Sequence, residues 1–120
     1  MITEIATAAV YVSDQKVAED FWGRKIGFEV SAKKDMGDGA YWLEVKPKGA
    51  GSALVLYPRS AMKGWEEMKP SIVFRCENFD KTFEQLQANN VNVEEPMDLP
   101  WGKFLKFKDP DGNEFGIRGD

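Results

Sequence analysis

Over residues 6–12 small and β-branched apolar residues alternate in the manner of a half-buried strand. Ser13 or Asp14 follows as a candidate N-cap, because a short side-chain oxygen can accept from the first free N–H groups of a helix. Val17, Ala18, Phe21 and Trp22 then recur at helical spacing and predict one apolar stripe, closed by Gly27, which tolerates the left-handed conformation of a helix end. Strands are expected at residues 28–32, 41–45 and 53–57, the first two joined by a turn at Gly37-Asp38-Gly39.

The same order of elements returns in the second half. Residues 71–76 read as a strand, Asn78 as a cap, and Phe79, Phe83 and Leu86 as a helical stripe stopped by Asn89-Asn90. Strands at residues 91–93, 103–108 and 114–118 complete it. Laid over each other, the halves pair Val10 with Phe74, Val12 with Cys76, Asp14 with Asn78 and Trp22 with Leu86. Lys46-Pro47-Lys48-Gly49 meets Asp109-Pro110-Asp111-Gly112, and Leu54-Val55-Leu56 meets Phe115-Gly116-Ile117. The chain therefore reads as one domain over residues 1–120, built from two copies of a βαβββ unit. The first unit covers residues 1–58 and the second residues 70–120. The connector, residues 59–69, is expected to hold a short helix around residues 62–68.

Composition narrows the chemistry. The chain has 120 residues, 42% of them hydrophobic and 30% charged, which suits one globular domain. A net charge of −4 argues against a nucleic-acid partner, which needs a concentrated basic face. Met1-Ile2-Thr3-Glu4 lacks the basic and apolar segments of a secretory signal, and no apolar run approaches a membrane span. With a single cysteine, Cys76, these features lead us to expect a cytoplasmic protein with no membrane partner. Histidine is absent, which removes Ser-His-Asp and Cys-His mechanisms and every His-containing metal site.

Val10-Tyr11-Val12-Ser13-Asp14, Phe21-Trp22, Ile26-Gly27-Phe28-Glu29-Val30 and the closing Phe107-Lys108-Asp109-Pro110-Asp111-Gly112-Asn113 resemble a glyoxalase/bleomycin-resistance (vicinal oxygen chelate) domain. The resemblance spans the chain. It implies an α+β fold of paired βαβββ modules whose curved sheets surround a cavity, and a homodimer. It also implies that metal-dependent members draw four ligands from the first and last strands of each module. Carried onto this sequence those positions are Thr7, Val55, Ser71 and Gly116, a donor set unsuited to a divalent cation. No cofactor is therefore expected.

Strand parity brings Thr7, Tyr11, Tyr57, Ser71, Arg75 and Arg118 to the inward side, with Trp42 between two possible faces and Trp101 on a loop able to cover the cavity. Those eight residues are the candidate ligand contacts, suited to an organic molecule held by stacking and by arginine pairing with an acid group. The leading expectation is a binding protein that sequesters or carries a small organic ligand. The alternative is a lyase, isomerase or dioxygenase-like enzyme of the same family, with Tyr11, Glu44 or Glu114 as candidate acid or base. The Asp109-Pro110-Asp111-Gly112-Asn113 run lacks the distal glutamate of a calcium loop and reads as a tight turn, and Cys76 reads as a small buried apolar residue.

Overall fold

The structure is a computed structural model that describes Met1 and residues 5–119; Ile2, Thr3 and Glu4, part of the N-terminal stretch read above, lie outside the described residues. The fold class is α+β. Two compact units divide the chain, Met1–Lys69 and Pro70–Asp120. In the first, β1 (Thr7–Val12) leads into α1 (Gln15–Asp20), which widens into a π-helical turn at Phe21–Lys25. β2 (Glu29–Gly37), β3 (Ala40–Lys46) and β4 (Ala53–Pro58) complete a sheet ordered β1-β4-β3-β2. Its β1–β4 pair is parallel, and the other pairs are antiparallel. The second unit repeats the plan with β5 (Val73–Arg75), α2 (Phe79–Ala88), β6 (Asn92–Val93), β8 (Gly102–Lys108) and β9 (Glu114–Arg118), ordered β5-β9-β8-β6.

The predicted caps are made. The Asp14 carboxylate accepts from the backbone N–H of Lys16 (2.9 Å) and Val17 (3.3 Å), and the Asn78 side chain accepts from Lys81 N–H (3.1 Å). Alternate residues of β1, β3 and β4 (Val10, Val12, Leu43, Val45, Leu54, Leu56) are buried with Ala18, Phe21 and Trp22 of the helical segment. Each such large side chain contributes about 1.5–3 kcal/mol. Gln15 ties α1 to the sheet. Its Nε2 donates to the carbonyls of Tyr41 and Leu56, both at 2.7 Å, and its Oε1 accepts from Tyr41 N–H at 2.9 Å. In the second unit Phe74, Phe107 and Phe115 stack with centroids 5.5–6.3 Å apart, among buried Leu105, Ile117, Phe79 and Leu86.

Several expectations are corrected. Val17 leaves the apolar stripe and is 48% exposed, because the cap at Asp14 sets the helix phase so that Ala18, Phe21 and Trp22 face the sheet. The connector holds two 3₁₀ turns, Arg59–Ala61 and Trp65–Glu67, in place of one helix over residues 62–68. Gly64, at φ +80°, breaks the run between them. The Arg59 guanidinium stacks on Trp65 at 3.9 Å. β2 runs on to Gly37, since pairing with β3 overrides its polar sequence, with bulges between Val30 and Ala32 and between Asp35 and Gly37. A strand that the alternation did not reveal, β7 (Met97–Leu99), pairs with the start of β8. β5 is three residues long, and Ser71 precedes it.

Candidate functional site

The register of each sheet decides which side chains share a face. In the first unit Ala9 stands beside Val55 and Tyr11 beside Tyr57, while Glu44 faces Val55 across the antiparallel pair. Val10, Val12, Leu54 and Leu56 serve the core, so these alternate positions line the face turned away from α1. Along it runs a row of three half-buried rings. Tyr11 and Tyr57 meet edge-on at 6.1 Å, and Trp42 meets Tyr57 edge-on at 6.1 Å. Trp42 thus belongs to this face, which settles the ambiguity left by parity. Its indole N–H donates to Glu44 Oε2 at 2.6 Å, holding the carboxylate beside the rings above a floor of Ala9 and Val55.

The second unit builds the corresponding face from different chemistry. Val73 pairs with Gly116 and Arg75 with Arg118; across β8, Lys106 opposes Gly116 and Phe104 opposes Arg118. Matching Val55 with Gly116, the aromatic row Tyr11–Tyr57–Trp42 becomes Arg75–Arg118–Phe104, and Glu44 becomes Lys106. Aromatic and acidic side chains in one repeat are replaced by guanidinium, aromatic and ammonium groups in the other. Trp101, 48% exposed on the turn into β8, sets its ring edge-on to Phe104 at 6.0 Å and lies under the Arg118 guanidinium at 5.0 Å. Lys106 Nζ lies 3.5 Å from Glu114 Oε1.

The eight residues singled out from sequence therefore fall into groups by unit. Tyr11, Trp42 and Tyr57 come together, with Thr7 half-buried at the far end of β1; Arg75, Trp101 and Arg118 come together in the second unit; Ser71 is exposed ahead of β5. Phe104 was not among them. The signal for it is the alternation Leu105–Phe107, which commits those two to the core and turns Phe104 and Lys106 to the other face.

The four positions to which the resemblance assigns metal ligands do not fit a metal. Two carry neutral hydroxyls, one is the aliphatic Val55 and one is Gly116. The space above Gly116 is taken: a β-carbon there would lie 2.5 Å from Cζ and 2.8 Å from Cε1 of Phe104. Among the described residues no three Cys, Asp or Glu side chains converge on a point that could hold an ion.

Other polar features are local. A cleft of about 310 Å³ beside the start of α1 is lined by Asp14, Gln15, Lys33 and Tyr41 among others, with Lys33 paired to Glu19 at 3.0 Å and set over the Tyr41 ring at 4.8 Å. That ion pair raises the Lys33 pKa. Asp109 is only 6% exposed, and burial pushes its carboxyl up against the opposing hydrogen bonds from Asn113. It accepts from the N–H of Asp111 (3.0 Å) and Asn113 (2.8 Å) and from Asn113 Nδ2 (3.0 Å), which makes the segment a turn. Cys76 is half-buried, its Sγ 3.7 Å from the Arg118 carbonyl.

The family model described as Glyoxalase/Bleomycin resistance protein/Dioxygenase superfamily matches residues 4–117. The uncharacterised protein YetH of Bacillus subtilis (strain 168) is 52% identical over 98% of this chain and 99% of its own length. TnmS3, described as an antibiotic binding protein from Streptomyces sp. CB03234, superposes with a TM-score of 0.84 at 34% identity, covering 98% of this chain and 96% of its own. A superfamily member from Sphaerobacter thermophilus DSM 20745 superposes at 0.87 with 28% identity, over 99% and 98%. No helix among the described residues is long and apolar enough to cross a membrane.

Proposed function

The chain belongs to the glyoxalase/bleomycin resistance protein/dioxygenase superfamily, and from that premise we propose that it binds and sequesters or carries a small organic molecule without a metal. The observation that carries this reading is the Phe104 ring lying in the space above Gly116, where metal-dependent relatives are expected to project a ligand. An aromatic surface has replaced a donor, so the face favours stacking over coordination. The similarity to TnmS3, an antibiotic binding protein by its description, supports the same reading.

In this proposal each unit offers its own contact face: Tyr11–Tyr57–Trp42 in the first, with Thr7 at its margin, and Arg75–Arg118–Phe104 with Trp101 in the second, with Ser71 at its margin. A homodimer is part of it, because exposed Ile5, Val30, Val73 and Met97 leave apolar surface for a second copy to cover. Sedimentation at micromolar concentration should return twice the chain mass. A cytoplasmic location belongs to the same proposal and is supported by the single cysteine. The competing reading, metal-independent catalysis with Glu44 as base, is weakened by the Trp42 indole N–H held at 2.6 Å, which already engages one of the carboxylate oxygens a base would need.

The test is thermal unfolding in chelator, then with excess Mn, Fe(II), Ni or Zn, then with a panel of planar organic compounds. A ligand at a hundredfold its Kd stabilises the native state by about 2.7 kcal/mol, which moves the midpoint by several degrees. The expected result is no response to metals and a saturable rise with some organic compound. A saturable rise with one metal overturns the proposal.

A further inference from the structure

The two repeats carry unlike charge at matched positions, and this bears on the chemical class of the ligand. Around Gly116 the second unit sets Arg75 and Arg118 side by side on neighbouring strands, with Lys106 and Phe104 on the next. In a chain of net charge −4, this face gathers three cations, and among the same strand positions Glu114 is the carboxylate that opposes them, paired with Lys106. Guanidiniums on directly paired strand positions are placed to donate together to one anion set between them. Beside them Trp101 and Phe104 present rings, and Arg118 lies over the Trp101 face. Gly116 supplies no side chain, so the Phe104 ring lies down on the sheet in its place.

We infer that this face takes the acid end of an aryl acid, a planar ring bearing a carboxylate, sulfonate or phosphate. The ring stacks against Trp101 and Phe104. The acid group accepts charge-assisted hydrogen bonds from Arg118 and Arg75, whose planar forks match its oxygens. This deepens the proposed binding function and rests on it.

The experiment uses the full chain and three probes with one ring system: 2-naphthoate, 2-naphthamide and 2-naphthylmethylamine, respectively anionic, neutral and cationic at neutral pH. Calorimetric titration at low and high salt gives the affinities. The Trp101 indole N–H resonance, assigned with Trp101→Phe, reports the location. The inference expects 2-naphthoate to bind at least about tenfold more tightly than the amide, to weaken with salt, and to shift the Trp101 signal. Arg118→Gln should remove that preference. Arg75→Gln, at an exposed position, should reduce it even if Arg118→Gln perturbs folding. Equal binding of acid and amide, or preference for the amine with no Trp101 shift, overturns the anionic assignment and leaves the binding function standing. If none of the three binds, the aryl-acid assignment falls, while the metal and compound series above decides the wider reading separately.

Discussion

Phe104 on β8 and Gly116 on β9 are diagonal neighbours, two positions apart in register, and the Phe104 ring reaches across into the space above Gly116. The Phe104 side chain leans along the sheet and covers the Gly116 backbone, and a β-carbon at 116 would lie 2.5 Å from its Cζ. The pair shows how one aromatic residue and one missing side chain turn a strand position into a flat apolar surface.

Gly116→Ala should therefore destabilise the second unit by about 1–3 kcal/mol through overpacking. Gly116 does not occupy the left-handed region, so the penalty comes from contact with Phe104 and not from backbone strain. Urea unfolding of Gly116→Ala in the wild-type and Phe104→Ala backgrounds checks this. The alanine should cost markedly less once the ring is gone; an equal cost in both would place the strain elsewhere.

Gln15 satisfies three backbone groups, on Tyr41 and Leu56. Gln15→Ala leaves them partly buried and unpaired, at about 1–3 kcal/mol for each group that water cannot reach. A fall in Tm of several degrees is expected. Faster amide exchange at Tyr41, whose N–H loses its acceptor, is the accompanying local signal.

Asp109 supplies a pH dependence of defined sign. Burial raises its pKa above 3.8, so the folded chain takes up this proton more readily than the unfolded one. Its contribution to stability is then full below the unfolded value and is lost as pH rises through the folded one. Relative to Asp109→Asn, which does not titrate, the wild type should gain stability as pH falls from 6.5 to about 3.5. Denaturant midpoints of both proteins at the two pH values measure it. The exposed Asp20, whose pKa is lowered by its hydrogen bond to Arg24, acts in the opposite direction and cancels in the comparison.

Val17→Ser should change stability by no more than about 0.5 kcal/mol, since the side chain is largely in solvent. Ala18→Ser, one residue on and buried, should cost distinctly more. Paired thermal melts distinguish the two positions that the helical stripe treated alike.

The sequence by itself determined the repeat, the α+β class, the Asn78 cap and the choice of Ser13 or Asp14 for the other, the stops at Gly27 and Asn89-Asn90, and the strand parity that turns Tyr11, Tyr57, Arg75 and Arg118 away from the helices. Caps, positive-φ stops and two-residue alternation are local: a few neighbours along the chain fix the geometry, so their residue types report it. Tertiary structure alone decided the rest. Trp42 reached the open face because β3 pairs with β4 in one register. β7 formed because β8 offered it an edge. Phe104 covered Gly116 because two strands distant in sequence became neighbours. Each of these depends on pairing across the sheet, and a one-residue slip in that pairing exchanges the two faces without altering a single residue of the chain.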